Sequence, residues 1–245
     1  MKVLFVSPYP PERDGIGSFC QVLFDQETAQ GHLVQVVSAR HAAPVRPEVI
    51  GSLPLFSPGP VARRVRALGV DLLHVQFAFA SYGTRLPALL RLLRLAKADG
   101  LPIVVTLHEV TRDTESLGVP GFTLYRKIAT YADHLIVHTE PARRLTLDPR
   151  IGAHESSVSV IGLPVPQLGP ARDAQVLRTR HGLGDDRIIL SFGFIDPDKG
   201  VQDLITAAAR LDRQGSLGGV RVVIAGTVRR RFGIMRPFEL RGHLH

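Results

Sequence analysis

The sequence predicts an α/β protein, a Rossmann-like parallel-sheet domain followed by the start of a second one, and three observations point there. Short β-rich apolar runs alternate with helical patterns from Lys2 to Leu163, an order that needs crossover connections and hence parallel strands. A proline- and glycine-rich stretch, Gly162 to Pro170, then breaks the pattern without any helical period. Alternation resumes near Asp173 with two further apolar runs. The predicted division is residues 1–163 for the first domain, 164–172 for a linker and 173–245 for a partial second domain.

The elements follow in order. Lys2 to Ser7 is an apolar, β-rich run and predicts the first strand. Ser18 to Gln30 carries Phe19, Val22, Leu23 and Phe24 at helical spacing, opens on a Ser18/Gln21 capping-box pattern and closes at Gly31. Leu33 to Ser38, Val70 to Phe77 and Ile103 to Leu107 read as strands. The leucines at 86, 89, 90 and 93 make one face of a helix from Leu86 to Ala98. A helix over Thr123 to Ala132 precedes a strand over Leu135 to His138, and a short helix over Pro141 to Leu147 leads to a strand over Val158 to Leu163. Beyond the linker, a helix near Asp173 to His181, a strand over Ile188 to Phe194, a helix over Val201 to Arg213 and a strand over Val220 to Ala225 begin a second βαβ unit. Two strands cannot cover both their faces, so that unit reads as unfinished. Residues from Val228 to His245 show no clear period and read like a truncated or frame-shifted end.

Composition narrows the class. At 245 residues and 44% hydrophobic, the chain can bury a substantial core. Its single cysteine, Cys20, excludes an internal disulfide framework and falls on the apolar face of the first helix, as a small buried thiol does. No apolar run reaches the roughly 18 to 20 residues of a spanning helix, so the expected setting is cytoplasmic or membrane-peripheral. The net charge of +8 suits an acidic ligand or an anionic surface. Arginines concentrate at Arg63-Arg64-Val65-Arg66, Arg143-Arg144 and Arg229-Arg230-Arg231, but no aromatic residues interleave with them and tryptophan is absent. Nucleic acid is therefore not an expected partner.

The candidate chemistry begins in the corner after the first strand. Ser7-Pro8-Tyr9-Pro10-Pro11 leads to Asp14-Gly15-Ile16-Gly17, where glycines let the backbone take positive φ and approach a ligand, and the following helix offers its positive end to a phosphate. The order is not the dinucleotide fingerprint, because Cys20 stands where a third glycine would be. The second strand also ends in Ser38-Ala39-Arg40 without the ribose-binding acid, which argues against a nicotinamide-dependent oxidoreductase. His108 follows an apolar strand, at the edge where open α/β sheets bind ligands. His74 and His138 lie in strand patterns and read as packed or hydrogen-bonded residues of the core edge, and His32 as part of a structural Gly-His turn. No histidine or cysteine spacing argues for a metal.

These motifs together carry a resemblance. Val6-Ser7-Pro8-Tyr9-Pro10-Pro11 with Asp14-Gly15-Ile16-Gly17, the Gly31-His32-Leu33-Val34 turn, Thr106-Leu107-His108-Glu109 and Phe192-Gly193-Phe194-Ile195-Asp196-Pro197-Asp198-Lys199-Gly200 resemble the retaining glycosyltransferases of GT-B fold, family 4, from Lys2 to about Thr227. The resemblance implies a sugar moved from a nucleotide-sugar donor to a sugar, lipid or small-molecule acceptor, between an N-terminal acceptor domain and a C-terminal donor domain. It implies Gly15, Gly17 and Lys199 at the donor diphosphate, and His108 near the transferred sugar as the catalytic residue. Glu109 is expected to orient His108 or to contact the acceptor. No metal or other cofactor is implied. Peripheral membrane contact and self-association through an uncovered sheet edge are compatible with the charge and the short second unit.

The departures matter too. Where the family carries a basic residue between Gly193 and Lys199, this chain has Phe194 and Asp196, and its linker reads Gly162-Leu163-Pro164 in place of Pro-His-Gly. The family's E-x7-E segment, which holds ribose and donor sugar, does not occur after Asp173. The expectation is an enzyme weak or inactive as it stands, with a non-catalytic binding module of the same fold as the alternative.

Overall fold

We describe a computed structural model of the chain, covering residues 1–12, 14–40, 47, 49–164, 173–195 and 199–228. It divides into two units, Met1–Pro166 and Gln167–His245. The predicted linker, residues 164–172, lies outside the described residues beyond Pro164.

In the first unit β1 (Lys2–Ser7) is followed by α1 (Gly15–Ala29), β2 (Leu33–Ser38) and β3 (Val49–Ser52). The chain continues through α2 (Gly59–Leu68), β4 (Leu72–Phe77), α3 (Phe79–Tyr82), α4 (Leu86–Ala98) and β5 (Ile103–Leu107). It closes with α5 (Val110–Leu117), α6 (Val119–Tyr131), β6 (His134–Val137), α7 (Glu140–Leu147) and β7 (Val158–Val160). The seven strands form one sheet in the order β3-β2-β1-β4-β5-β6-β7, and every pairing is parallel. Strand order reverses beside β1, so the crevice beyond the carboxyl ends of β1 and β4 is the switch point where such sheets bind ligands.

Alternation along β1 assigns its side chains to two cores. Val3 and Phe5 pack with Tyr9, Cys20 and Phe24 under α1, while Leu4 and Val6 join the larger core containing Leu89, Leu92 and Leu93 of α4. With both faces covered, β1 is buried from Val3 onward, which is why it reads as a continuous apolar run. Cys20 is fully buried, and burial pushes its thiol up to about 12.

Several sequence expectations need correction. α1 starts three residues before Ser18, at Gly15, with Asp14 as its N-cap. The Ser18 hydroxyl donates to the Asp14 carbonyl, so the Ser18/Gln21 capping box is not formed. Its end matches Gly31, closed by Gly31 N–H to Thr28 O and His32 N–H to Glu27 O. β3, α2, α3 and α5 were not anticipated. α2 buries only Ala62 and Val65, too narrow an apolar face to read as periodic. The strand expected through His138 ends at Val137, and the one expected to reach Leu163 ends at Val160.

The second unit holds α8 (Ala174–Arg180), β8 (Arg187–Phe192), α9 (Val201–Arg213) and β9 (Val220–Ala225). β8 and β9 pair in parallel through six residues from Arg187↔Val220 to Phe192↔Ala225. Among the described residues this two-stranded sheet leaves Leu190 58% and Phe192 86% exposed, as two strands with few covering elements must.

Candidate functional site

The site is assembled at the carboxyl edge of the first sheet. Its floor is a row of polar side chains on β4 and β5 and just beyond the ends of β5 and β6, brought level by register. Gln76 lies opposite Thr106, and Leu107 opposite Val137, so His108 and His138 leave adjacent strands side by side. His108 Nε2 is 2.9 Å from Gln76 Oε1, and its Nδ1 is 3.2 Å from His138 Nε2. His138 Nδ1 is 2.8 Å from the Ile161 carbonyl oxygen. On the other side Gln76 Nε2 is 3.1 Å from His74 Nε2, which is also 2.8 Å from Thr106 Oγ1. Both ring nitrogens of His108 are therefore engaged within the fold.

Burial sets the electrostatics. Loss of solvation, reinforced by His138 and His74, lowers His108 to about 3, and burial lowers His74 to about 4, so both rings are neutral near pH 7. Phe19 of α1 stands edge-on to His108 at 5.1 Å between ring centroids and to His138 at 5.7 Å. It ties α1 to the histidines. Gly15 precedes Phe19 by four residues and so lies on the same helix face one turn earlier.

The glycine corner differs from its expected form. Neither Gly15 nor Gly17 has positive φ; both sit in the first turn of α1. The Asp14 carboxylate accepts from Ile16 N at 2.8 Å and Gly17 N at 3.3 Å, so these two amides are not open to a phosphate. Gly17 is required by packing, since a Cβ there would come within 3.3 Å of Pro8 C, Pro8 O and Tyr9 N. Around Gly15 a Cβ would meet nothing within 4 Å, and the residue is exposed. Of the two glycines, Gly15 alone combines exposure with open space at the helix end.

Glu109 does not orient His108. Its carboxylate is 3.7 Å from Arg112 Nη1, and the groups that hold the His108 ring are Gln76 and His138. The alternation of β4 could have flagged Gln76, because a glutamine among apolar strand residues needs a partner. In the sequence His138 reads as a packed or hydrogen-bonded residue of the core edge; its partnership with His108 depends on register that no local pattern carries. His32 lies 3.5 Å from Glu27 at the end of α1. Lys199, in the second unit, is exposed and precedes Gly200, whose φ of +64° begins α9. Asp196 lies outside the described residues. Among the described residues no group of three or more His, Cys, Asp or Glu is placed to hold a metal ion, and no helix is long and apolar enough to cross a membrane.

A doubly wound parallel sheet with its polar residues gathered at the switch-point edge, followed by a second βαβ unit, defines a GT-B type, Rossmann-like protein. Residues 13–167 match the family model of Glycosyltransferase Family 4, and the chain belongs to that family. No curated protein matches it significantly in sequence. Among solved structures, HepE from Anabaena in complex with UDP and glucose is 15% identical, with a TM-score of 0.61 over 99% of this chain and 65% of its own. An alpha-glucosyltransferase in complex with UDP and a 13-mer DNA containing an HMU base is 14% identical, with a TM-score of 0.61 over 99% of this chain and 60% of its own. The UDP-GlcNAc 2-epimerase of Methanocaldococcus jannaschii, in complex with UDP-GlcNAc and UDP, is 12% identical, with a TM-score of 0.55 over 100% of this chain and 70% of its own. At these identities the likeness is one of fold. The chain spans 65% of the length of HepE.

Proposed function

We propose that the chain acts on a nucleotide-sugar donor, with a uridine diphosphate leaving group, and transfers its sugar to a sugar, lipid or small-molecule acceptor with retention of configuration. The observation that carries this reading is the placement of His108, held rigidly at the carboxyl edge of the sheet and tied through Phe19 to the helix whose N-terminus bears Gly15. Membership of the family and the UDP-bound fold relatives support the donor class.

In this reading the first unit is the acceptor domain and the second carries part of the donor domain. Gly15 lets the diphosphate approach the positive end of α1, Lys199 neutralises charge on the leaving group, and His108 lines the place of the transferred sugar. With both ring nitrogens engaged, His108 acts as a fixed wall beside the anomeric centre rather than as a proton donor. The setting is cytoplasmic or membrane-peripheral.

A non-catalytic binding module is the second reading, and Asp14 favours it. Its carboxylate occupies two amides of the helix end and opposes an anion there. Calorimetry with UDP and a radiolabelled transfer assay on the 245-residue chain test both. Binding with slow, His108-dependent transfer supports the enzyme. Binding without transfer supports the module, and no UDP binding removes the enzyme reading.

A further inference from the structure

The hydrogen bonds along the sheet edge form one continuous chain, and their protons can be counted. His138 Nδ1 faces the Ile161 carbonyl, which only accepts, so that nitrogen carries a proton. With the Gln76 amide as placed, Oε1 accepts from His108 Nε2, which therefore carries a proton too. Gln76 Nε2 and the Thr106 hydroxyl then share the single lone pair of His74 Nε2 as a bifurcated acceptor, with Thr106 the nearer donor. The remaining bond, His138 Nε2 to His108 Nδ1 at 3.2 Å, needs one more proton, because two bare nitrogens would face each other. Three protons on two rings make the pair a cation. His108, driven well below the usual histidine range by burial, leaves that extra proton to His138.

A second arrangement satisfies the same chain with one proton fewer. If the Gln76 amide turns over, its NH2 donates to His108 Nε2, and His108 donates from Nδ1 to a neutral His138. Gln76 Oε1 then accepts from His74 Nε2, and Thr106 turns its hydroxyl proton away. Both orientations of the amide fit the same heavy-atom positions.

We propose that His138 is a positioning residue that sets the tautomer of His108: doubly protonated His138 holds the His108 proton on Nε2, and neutral His138 holds it on Nδ1 with the Gln76 amide reversed. One proton passes to solvent in the change, while His108 and His74 each keep one and exchange its place. The ionisable side chains along the chain are His138, His108 and His74; Phe19 of α1 covers both rings of the pair. The nearest carboxylates in sequence are Glu109, turned onto Arg112, and Glu140, in the first turn of α7. A positive pair repels a sugar centre that gains positive charge, so the neutral pair is the form suited to transfer. That consequence rests on the reading of His108 given above, whereas the tautomer is read without substrate, so the two can fail separately.

The test is imidazole 15N NMR on the full chain, titrated between about pH 5 and 8, the range in which histidine changes charge. The expected result is that His108 exchanges its Nε2–H signature for Nδ1–H at the same midpoint at which His138 loses its charge, with His74 exchanging in the opposite sense. Gln76→Glu, whose carboxylate cannot reverse into a donor, should hold His108 in the Nε2–H form to higher pH. His138→Phe should abolish the exchange. A His108 tautomer that stays constant while His138 titrates, or a midpoint unmoved in Gln76→Glu, overturns the proposal; the wild-type titration decides it even where a variant does not fold.

Discussion

The Asp14 carboxylate lies 2.8 Å from the Ile16 amide, so the helix end that faces the site already holds a negative charge. Asp14→Asn should keep the cap, since asparagine caps about as well as aspartate, yet remove the charge that opposes a phosphate. UDP affinity, measured by calorimetry, is expected to rise several-fold with thermal stability nearly unchanged. Asp14→Ala should instead cost about 1 kcal/mol of stability in denaturant unfolding.

The two glycines of this turn should separate under mutation. Gly17→Ala brings a methyl group within 3.3 Å of backbone at Pro8 and Tyr9; overpacking of this kind costs roughly 1–3 kcal/mol, against up to about 1 kcal/mol gained in helix propensity. The net expectation is a loss of about 1 kcal/mol in chemical denaturation. Gly15→Ala meets no neighbour, so stability should hold within about 0.5 kcal/mol while UDP binding weakens.

His108→Asn and Lys199→Ala should fail in different ways. Removing the wall proposed beside the anomeric centre is expected to lower the transfer rate on the order of 100-fold, as loss of an oriented group in a site does, with UDP affinity little changed. Lys199→Ala should weaken UDP by about tenfold or more, since a charge-assisted contact is worth roughly 1.5–3 kcal/mol. Equal losses of affinity in both variants would contradict these roles.

The buried histidines predict how stability follows pH. His74 and His108 have folded values lowered to about 4 and about 3, below the unfolded value near 6.5. The unfolded chain therefore binds protons that the folded chain refuses, and stability rises with pH across that window. Stability should be full above about pH 6.5 and fall as the pH drops toward 4, by up to ~3 kcal/mol for His74 alone. Urea unfolding at several pH values checks this, and His74→Gln should flatten the slope.

Most of the strand framework could be read from residues alone. β1, β2 and β5 match their predicted spans to the residue, because a strand covered on both faces is a short continuous apolar run, and so do α4 and α9, because a helix against a sheet repeats every 3.6 residues; β9 matches as the same kind of apolar run although none of its residues is fully buried. Both signals are local. α1 was misplaced at its start because Asp14 competes with Ser18 for the cap, and only the packing of Gly17 against Pro8 and Tyr9 decides between them.

The site is another matter. His108 could be picked out as a polar residue ending an apolar strand, and Gly15 as part of a glycine turn before a helix. What holds His108 could not: Gln76, His138 and Phe19 come from three separate elements, and their meeting depends on the parallel register that sets Gln76 beside Thr106 and Leu107 beside Val137. A shift of one residue would send the side chains of a strand to the opposite face. Residue order dictates which side chains end each strand, but long-range backbone pairing dictates which of those ends become neighbours, and the proton chain through His138 and His108 exists only in that second, non-local layer.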